Sequence, residues 1–315
     1  MDELYGADVI TSLAKIYQQL YIVPGNDGIE RYEDVVKKGQ EIPNGDLSHF
    51  VTDQRDSLVY EDTPAGKVCV ITLFNRQDFV TFLRIMANRC SVVDIPDTQG
   101  ASILSGVINW TKIRAHKEEF YSDENSKGNL FPDWKTEFAR FTSDKSNYLD
   151  TLIVLSVGPY SGISTERMNE YLTRTGSGSK TLSNDEWLSL SDTIRKNHEC
   201  THFICQVKYP EKKDAIWDEL VADAVGIYAA FGRFDRGMET LFLGIGEDGY
   251  TKGRLENYVE ADSLEEKQEK LGVLSAGIMR VLKQFERMAE EKRIVNPYDL
   301  AVMFEENKDN IMKVG

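Results

Sequence analysis

A chain of 315 residues, 41% hydrophobic and 10% aromatic, is long enough to bury a substantial core and too apolar to be disordered. Its net charge of −15 argues against a broad nucleic-acid-binding face, which needs clustered Lys and Arg to neutralise phosphates. No stretch approaches the roughly 18 uninterrupted apolar residues of a membrane span, and the acidic start Met1-Asp2-Glu3-Leu4 lacks the cationic and apolar segments of a secretory signal. Neither a nucleic acid nor a membrane is therefore an expected partner.

In chain order, Val9, Ile10, Leu13, Ile16, Tyr17 and Leu20 recur at helical spacing and predict a helix over 7–22, broken at Pro24-Gly25-Asn26-Asp27-Gly28. The nearly continuous apolar, β-branched run Lys67–Phe74 predicts a strand interior to a sheet. A helix over Gln77–Ala87, a short strand over Ser91–Ile95 and a helix over Ser102–Tyr121 follow, the last read from Ile103, Val107, Trp110 and Ile113. It ends in a polar loop over 122–129. Asp150–Val157 is the second clear strand, running into the turn Gly158–Gly162. Thr175–Lys180, rich in Gly and Ser, is the best candidate for a linker or mobile loop.

The remainder predicts helices at Asp185–Lys208, closing at Tyr209-Pro210, at Asp214–Phe231, closing at Gly232, and at about Ser263–Lys292. The expected class is α+β. A mixed strand and helix region over 1–149 precedes a mainly helical region over 150–315, as two lobes or as layers of one continuous domain.

The helix over 185–208 carries His198-Glu199-Cys200-Thr201-His202, an H-E-x-x-H string that uses two of the four histidines. Positions i and i+4 lie one turn apart on one helix face, so both imidazoles can address one metal while Glu199 reaches a water bound to it. Two histidines do not complete a catalytic zinc site, and the others, His49 and His116, lie in the N-terminal half. The next helix supplies carboxylates. In Trp217-Asp218-Glu219-Leu220-Val221-Ala222-Asp223, Glu219 and Asp223 sit one turn apart. If the connection around Pro210 turns the chain back, Glu219 meets the metal and Asp223 accepts a hydrogen bond from a liganding imidazole.

Over residues 185–232 this pattern resembles the gluzincin-type H-E-x-x-H zinc metallopeptidases. The resemblance implies a zincin-like region with a zinc ion held by His198, His202 and Glu219, Glu199 as general base, Asp223 supporting a histidine, and a peptide or related amide as substrate. No histidine follows His202, so the oxyanion-binding histidine of thermolysin-like enzymes has no counterpart. Arg254 and Tyr258, with Tyr250 behind them, are the candidate oxyanion donors. Thr151–Val157 is either an edge strand that pairs with an extended substrate or an interior strand. The whole chain also resembles an uncharacterised bacterial protein family through Gly106-Val-Ile-Asn-Trp110 and Gly253-Arg-Leu-Glu-Asn-Tyr258, a resemblance that carries no activity.

Two other readings use the same residues. The metal-binding helices can be structural or regulatory without peptidase activity. Glu199-x-x-His202 also fits a carboxylate-bridged di-iron site, but such sites need a second E-x-x-H, which the chain lacks. Gly244-Ile-Gly-Glu-Asp-Gly249 matches a dinucleotide string, yet its acidic residues would oppose a pyrophosphate, and a turn-rich loop is expected. Cys69, Cys90, Cys200 and Cys205 have the spacing of neither a disulfide framework nor a zinc knuckle. They read as buried reduced thiols, which fits a cytoplasmic protein.

Overall fold

Residues 68 to 73 are buried without a break, as in a strand covered on both faces. They belong to a strand in a five-stranded sheet. Its strands are β1 (Leu4–Tyr5), β2 (Ser57–Thr63), β3 (Gly66–Leu73), β4 (Ala101–Ile108) and β5 (Leu149–Ser156), ordered β1-β2-β3-β5-β4. The computed structural model describes residues 3–6, 8–122, 133–176 and 181–313. In it β3 and β5 pair in parallel from Cys69↔Leu152 to Leu73↔Ser156, while β4 runs antiparallel to β5 and β1 antiparallel to β2. The sheet is therefore mixed and the fold is α+β, with 60% helix and 12% strand. β5 has a neighbour on each side, so it is an interior strand and offers no edge to a substrate.

The chain divides into two compact units. One comprises Met1–Tyr60 and Val68–Ser156, the other Glu61–Lys67 and Val157–Gly315. The division after Ser156, rather than before Asp150, keeps β5 with the sheet it pairs in. In the first unit α1 (Asp8–Ile16), α2 (Asn26–Val36) and α3 (Arg76–Met86) accompany the sheet. Val9, Ile10, Leu13, Phe79, Phe82 and Leu83 form a core with Ile71, Leu152 and Val154. The Asn75 side chain caps α3 by accepting from the Gln77 amide.

Three expectations are corrected here. The helix expected over 7–22 ends at Ile16, and Gln18–Tyr21 forms a separate 3₁₀ turn. The segment over 91–95 is not a strand. Its polar groups are used locally, with Arg84 Nε donating to the Val93 carbonyl at 2.9 Å and the Val93 amide to Ser91 O. The helix expected over 102–121 is strand β4 followed by α4 (Trp110–Ser122). Gly106, at φ +76°, lies at the register shift between Ser105 and Val107. The extra residue of this bulge separates Ile103 and Val107 by four positions, imitating a helical period across a strand. The expected loop at 122–129 lies outside the described residues apart from Ser122, which ends α4, and α5 (Trp134–Ser143) follows it.

In the second unit, α6 (Thr165–Thr175) is capped by Gly176, and residues 177–180 of the loop expected at 175–180 lie outside the described residues. Then come α7 (Asn184–Lys208), α8 (Ala215–Phe231), α9 (Arg236–Leu243), α10 (Leu264–Glu291) and α11 (Tyr298–Lys313). Among the described residues after Ser156 the strands are the two-residue β6 (Ile245–Gly246) and β7 (Gly249–Tyr250), paired antiparallel across Glu247-Asp248. That hairpin is the turn expected at 244–249. No helix among the described residues is long and apolar enough to cross a membrane. All four cysteines are free and buried.

Candidate metal centre

α7 begins with a reciprocal cap. Ser183 Oγ accepts from the Glu186 amide, and the Glu186 carboxylate accepts from the Ser183 amide. The helix then runs through the unit with Trp187, Ile194, Cys200 and Ile204 buried on several faces. α8, capped by Asp214, is buried continuously from Leu220 to Ile227. Helices buried on most sides are central to their domain. Polar side chains on them must find partners or carry a large desolvation cost.

The two helices approach closely. A Cβ on Gly226 would stand 2.7 Å from the Ile194 carbonyl oxygen, so only glycine allows this contact. Ile194 thus meets Gly226, His198 meets Asp223 and His202 meets Glu219. Residue numbers rise on α7 as they fall on α8, so the helices are antiparallel.

At this crossing His198 Nδ1 lies 2.9 Å from Asp223 Oδ1. An ionised carboxylate only accepts, so Nδ1 carries the proton and Nε2 keeps its lone pair. That Nε2 lies 3.0 Å from His202 Nε2 and 3.5 Å from Glu219 Oε2, and His202 Nε2 is 3.3 Å from Glu219 Oε1. The ligand atoms of His198, His202 and Glu219 all lie within 4.8 Å of one another, the one such His/Cys/Asp/Glu group among the described residues. Two imidazole nitrogens at this separation cannot both present lone pairs to each other. A proton or a cation must lie among them.

Residues that the motif did not indicate complete the surroundings. The Tyr160 hydroxyl, in the 3₁₀ turn Tyr160–Gly162, donates to Asp223 Oδ1 at 2.6 Å and lies 2.8 Å from His198 Nδ1. The Tyr160 amide is held by Ser191 Oγ at 3.0 Å. The guanidinium groups of Arg195 and Arg254 stand over its ring, 5.8 and 5.5 Å from the centroid. Arg195 also donates to the Gly158 carbonyl at 2.9 Å, fixing the turn. The sequence marked this segment only as a turn, although a tyrosine four residues beyond the buried strand β5 was the available signal.

The turn Arg254–Tyr258 brings in both proposed oxyanion donors. Arg254 Nη2 contacts Asp223 Oδ2 and lies 3.8 Å from Glu219 Oε2, while Nη1 donates to the Tyr160 hydroxyl at 3.1 Å. Tyr258 stands beside Glu219; burial first, then that carboxylate, pushes its hydroxyl up. Tyr250 both donates to the Gly253 carbonyl and accepts from the Gly253 amide, at 3.0 and 2.9 Å, so it holds the turn that presents Arg254.

Charge follows this geometry. Burial opposes the ionised form of Glu219, but the hydrogen bond to His202, the neighbouring His198 ring and the positive charge of Arg254 win and hold it well below the usual carboxylate range. Burial likewise opposes the charge on Asp223, and Arg254 and His198 overcome it. Burial lowers His202, yet Glu219 outweighs it and the imidazole is raised. Glu199 is partly buried and has no hydrogen bond or ion pair among the described residues, so its carboxylate is uncommitted.

The molecule is thus an α+β protein whose helical unit carries a His-His-Glu cluster backed by an Asp-Tyr-Arg network. The model of the family of unknown function DUF7005 matches residues 5–304, and the chain belongs to that family. No curated protein and no solved structure matches it.

Proposed function

We propose that this protein is a zinc-dependent hydrolase acting on a peptide or related amide bond, with His198, His202 and Glu219 as the metal ligands. The observation that carries the reading is the convergence of those three donor atoms at the α7–α8 crossing, with His198 Nδ1 occupied by Asp223 so that Nε2 is free to ligate. Two imidazoles and one carboxylate suit zinc, whereas sites for magnesium or calcium are built from oxygen ligands.

Bound zinc supplies a lowered pKa for water and polarisation of the substrate carbonyl. The chain's residues do the rest. The uncommitted Glu199 carboxylate, on the residue next to His198, accepts the proton of the attacking water and returns it to the leaving amine. Asp223 and Tyr160 hold the His198 ring. Arg254, turned toward Asp223 and Tyr160, serves mainly as the counter-ion of Asp223, which leaves the Tyr258 hydroxyl as the better-placed donor to the developing oxyanion. The free buried cysteines support a reducing compartment, the cytoplasm in this reading.

Metal analysis of the purified protein tests the assignment. About one zinc per chain is expected, lost in His198→Ala and Glu219→Ala and retained in Glu199→Gln. Full metal content in Glu219→Ala removes the third ligand from the proposal. Zinc binding with wild type and Glu199→Gln indistinguishable on peptide libraries assigns the site instead to a structural or regulatory metal.

A further inference from the structure

α9 packs against α8, the Tyr160–Gly162 turn and the Arg254–Tyr258 turn, the three elements that surround the Asp223 carboxylate. It places Glu239 there. Glu239 is 0% exposed, and neither of its carboxyl oxygens has a hydrogen-bond partner. Arg254 Nε is also buried and without a partner, although the other two nitrogens of that guanidinium are bound. Buried polar groups are paired in the great majority of cases, so unpaired groups in one neighbourhood call for a physical account. Here one is a donor and the other an acceptor, and they lie within electrostatic reach of each other.

We propose that Glu239 is a positioning residue for the metal cluster: a buried carboxyl group near Arg254 that leaves the guanidinium's charge to Asp223 and, through Asp223, fixes the ring of His198. This rests on the reading of His198 as a ligand. An ionised Glu239 would compete with Asp223 for Arg254 and loosen the Asp223 hold on His198 Nδ1. Burial and, next, the Asp223 carboxylate push Glu239 well above the usual carboxylate range, with Arg254 opposing them. Asp223 from α8 and Arg254 from its turn are the charges that bear on it. Tyr160 is the titratable group on the third element, β6 carries no charge, and Glu286 of α10 is paired with Arg236 of α9 at 3.1 Å.

The test compares Glu239→Gln with Glu239→Leu in the full chain, by the imidazole ¹⁵N shifts of His198 in metal-free protein and by zinc affinity in competition with a chelator. Glutamine keeps an uncharged hydrogen-bonding group. It should preserve the Nδ1–H tautomer and bind zinc within about threefold of wild type, whereas leucine should mix the tautomers and weaken zinc at least about tenfold. If all three proteins behave alike, Glu239 is a bystander and the proposal fails. If glutamine loses as much as leucine, a charged carboxylate is required and the proposal also fails. Should the leucine variant not fold, pH decides. The wild-type tautomer signature must fade as the pH is raised through the ionisation of Glu239, and that of Glu239→Gln must not; superimposable profiles overturn the proposal. A wild type that binds no zinc strikes the metal reading and leaves the tautomer measurement standing.

Discussion

His198 Nδ1 and Asp223 Oδ1, 2.9 Å apart across the α7–α8 crossing, decide which nitrogen of His198 is free. Asp223 is 0% exposed, and its other oxygen contacts Arg254, so the carboxylate is held from both sides. Replacing Asp223 with Ala frees the ring to rotate and change tautomer. It should weaken zinc binding about 10–100-fold, the usual effect of removing such a supporting carboxylate. Chelator competition at fixed pH measures it, and an unchanged affinity would show that Tyr160 alone orients the ring.

Glu199 is expected to separate binding from chemistry. It has no hydrogen bond or ion pair among the described residues. Glu199→Gln should therefore leave fold and zinc content intact while lowering hydrolysis of a cleaved peptide by about 10²–10⁴-fold, the usual contribution of a general base. Single-turnover cleavage by zinc-loaded protein is the measurement. A variant that loses zinc along with activity would make Glu199 part of the ligand set.

The motif and its carboxylate helix were legible in the sequence because an i, i+4 pair fixes two side chains on one face with no long-range information. The helices of 184–208 and 215–231 were legible for a similar reason, since their caps and the Tyr209-Pro210 break are local. Tyr160 and Glu239 were not, because they reach Asp223 and its neighbours from a turn and a helix whose packing no periodicity encodes, and Arg195, although on the legible α7, has its role through Tyr160. α2 was hidden because its start, Asn26-Asp27-Gly28, has the composition of a turn and only Gly28 and Val35 are buried on it. β4 was misread because its bulge at Gly106 shifts the alternation that marks a strand.

Gly226 offers a test of the crossing itself. An alanine Cβ there would meet the Ile194 carbonyl at 2.7 Å, and backbone cannot move aside as the end of a side chain can. Gly226→Ala should destabilise the protein by about 1–3 kcal/mol in urea unfolding and weaken zinc by spreading His198 and His202 from Glu219. Gly272→Ala is the control. It lies on α10 with nothing within 4 Å of an added Cβ, so it should stabilise by about 0.5–1 kcal/mol. Equal effects of the two substitutions would mean that the close approach has no energetic consequence.

The His202–Glu219 contact makes metal binding depend on pH with a definite sign. Glu219 outweighs burial and raises His202 above its ordinary 6.5, while His202, with the His198 ring and the charge of Arg254, holds Glu219 below its ordinary 4.5 despite burial. The His202 contribution to stability is complete below 6.5 and is lost as the pH rises through the raised folded value. The Glu219 contribution is complete above 4.5 and is lost as the pH falls through the depressed one. The pair therefore supports the metal-free fold most fully between 4.5 and 6.5. Zinc needs a neutral imidazole, so binding must expel that proton. Below the raised pKa of His202, zinc affinity should fall about tenfold per pH unit, and calorimetry in buffers of different ionisation enthalpy should find one proton released per zinc. A pH-independent affinity across that range would mean that His202 is already neutral in the metal-free protein. The 3.0 Å contact between the two imidazoles would then be a hydrogen bond from the Nε2–H of a neutral His202 to the His198 Nε2 lone pair.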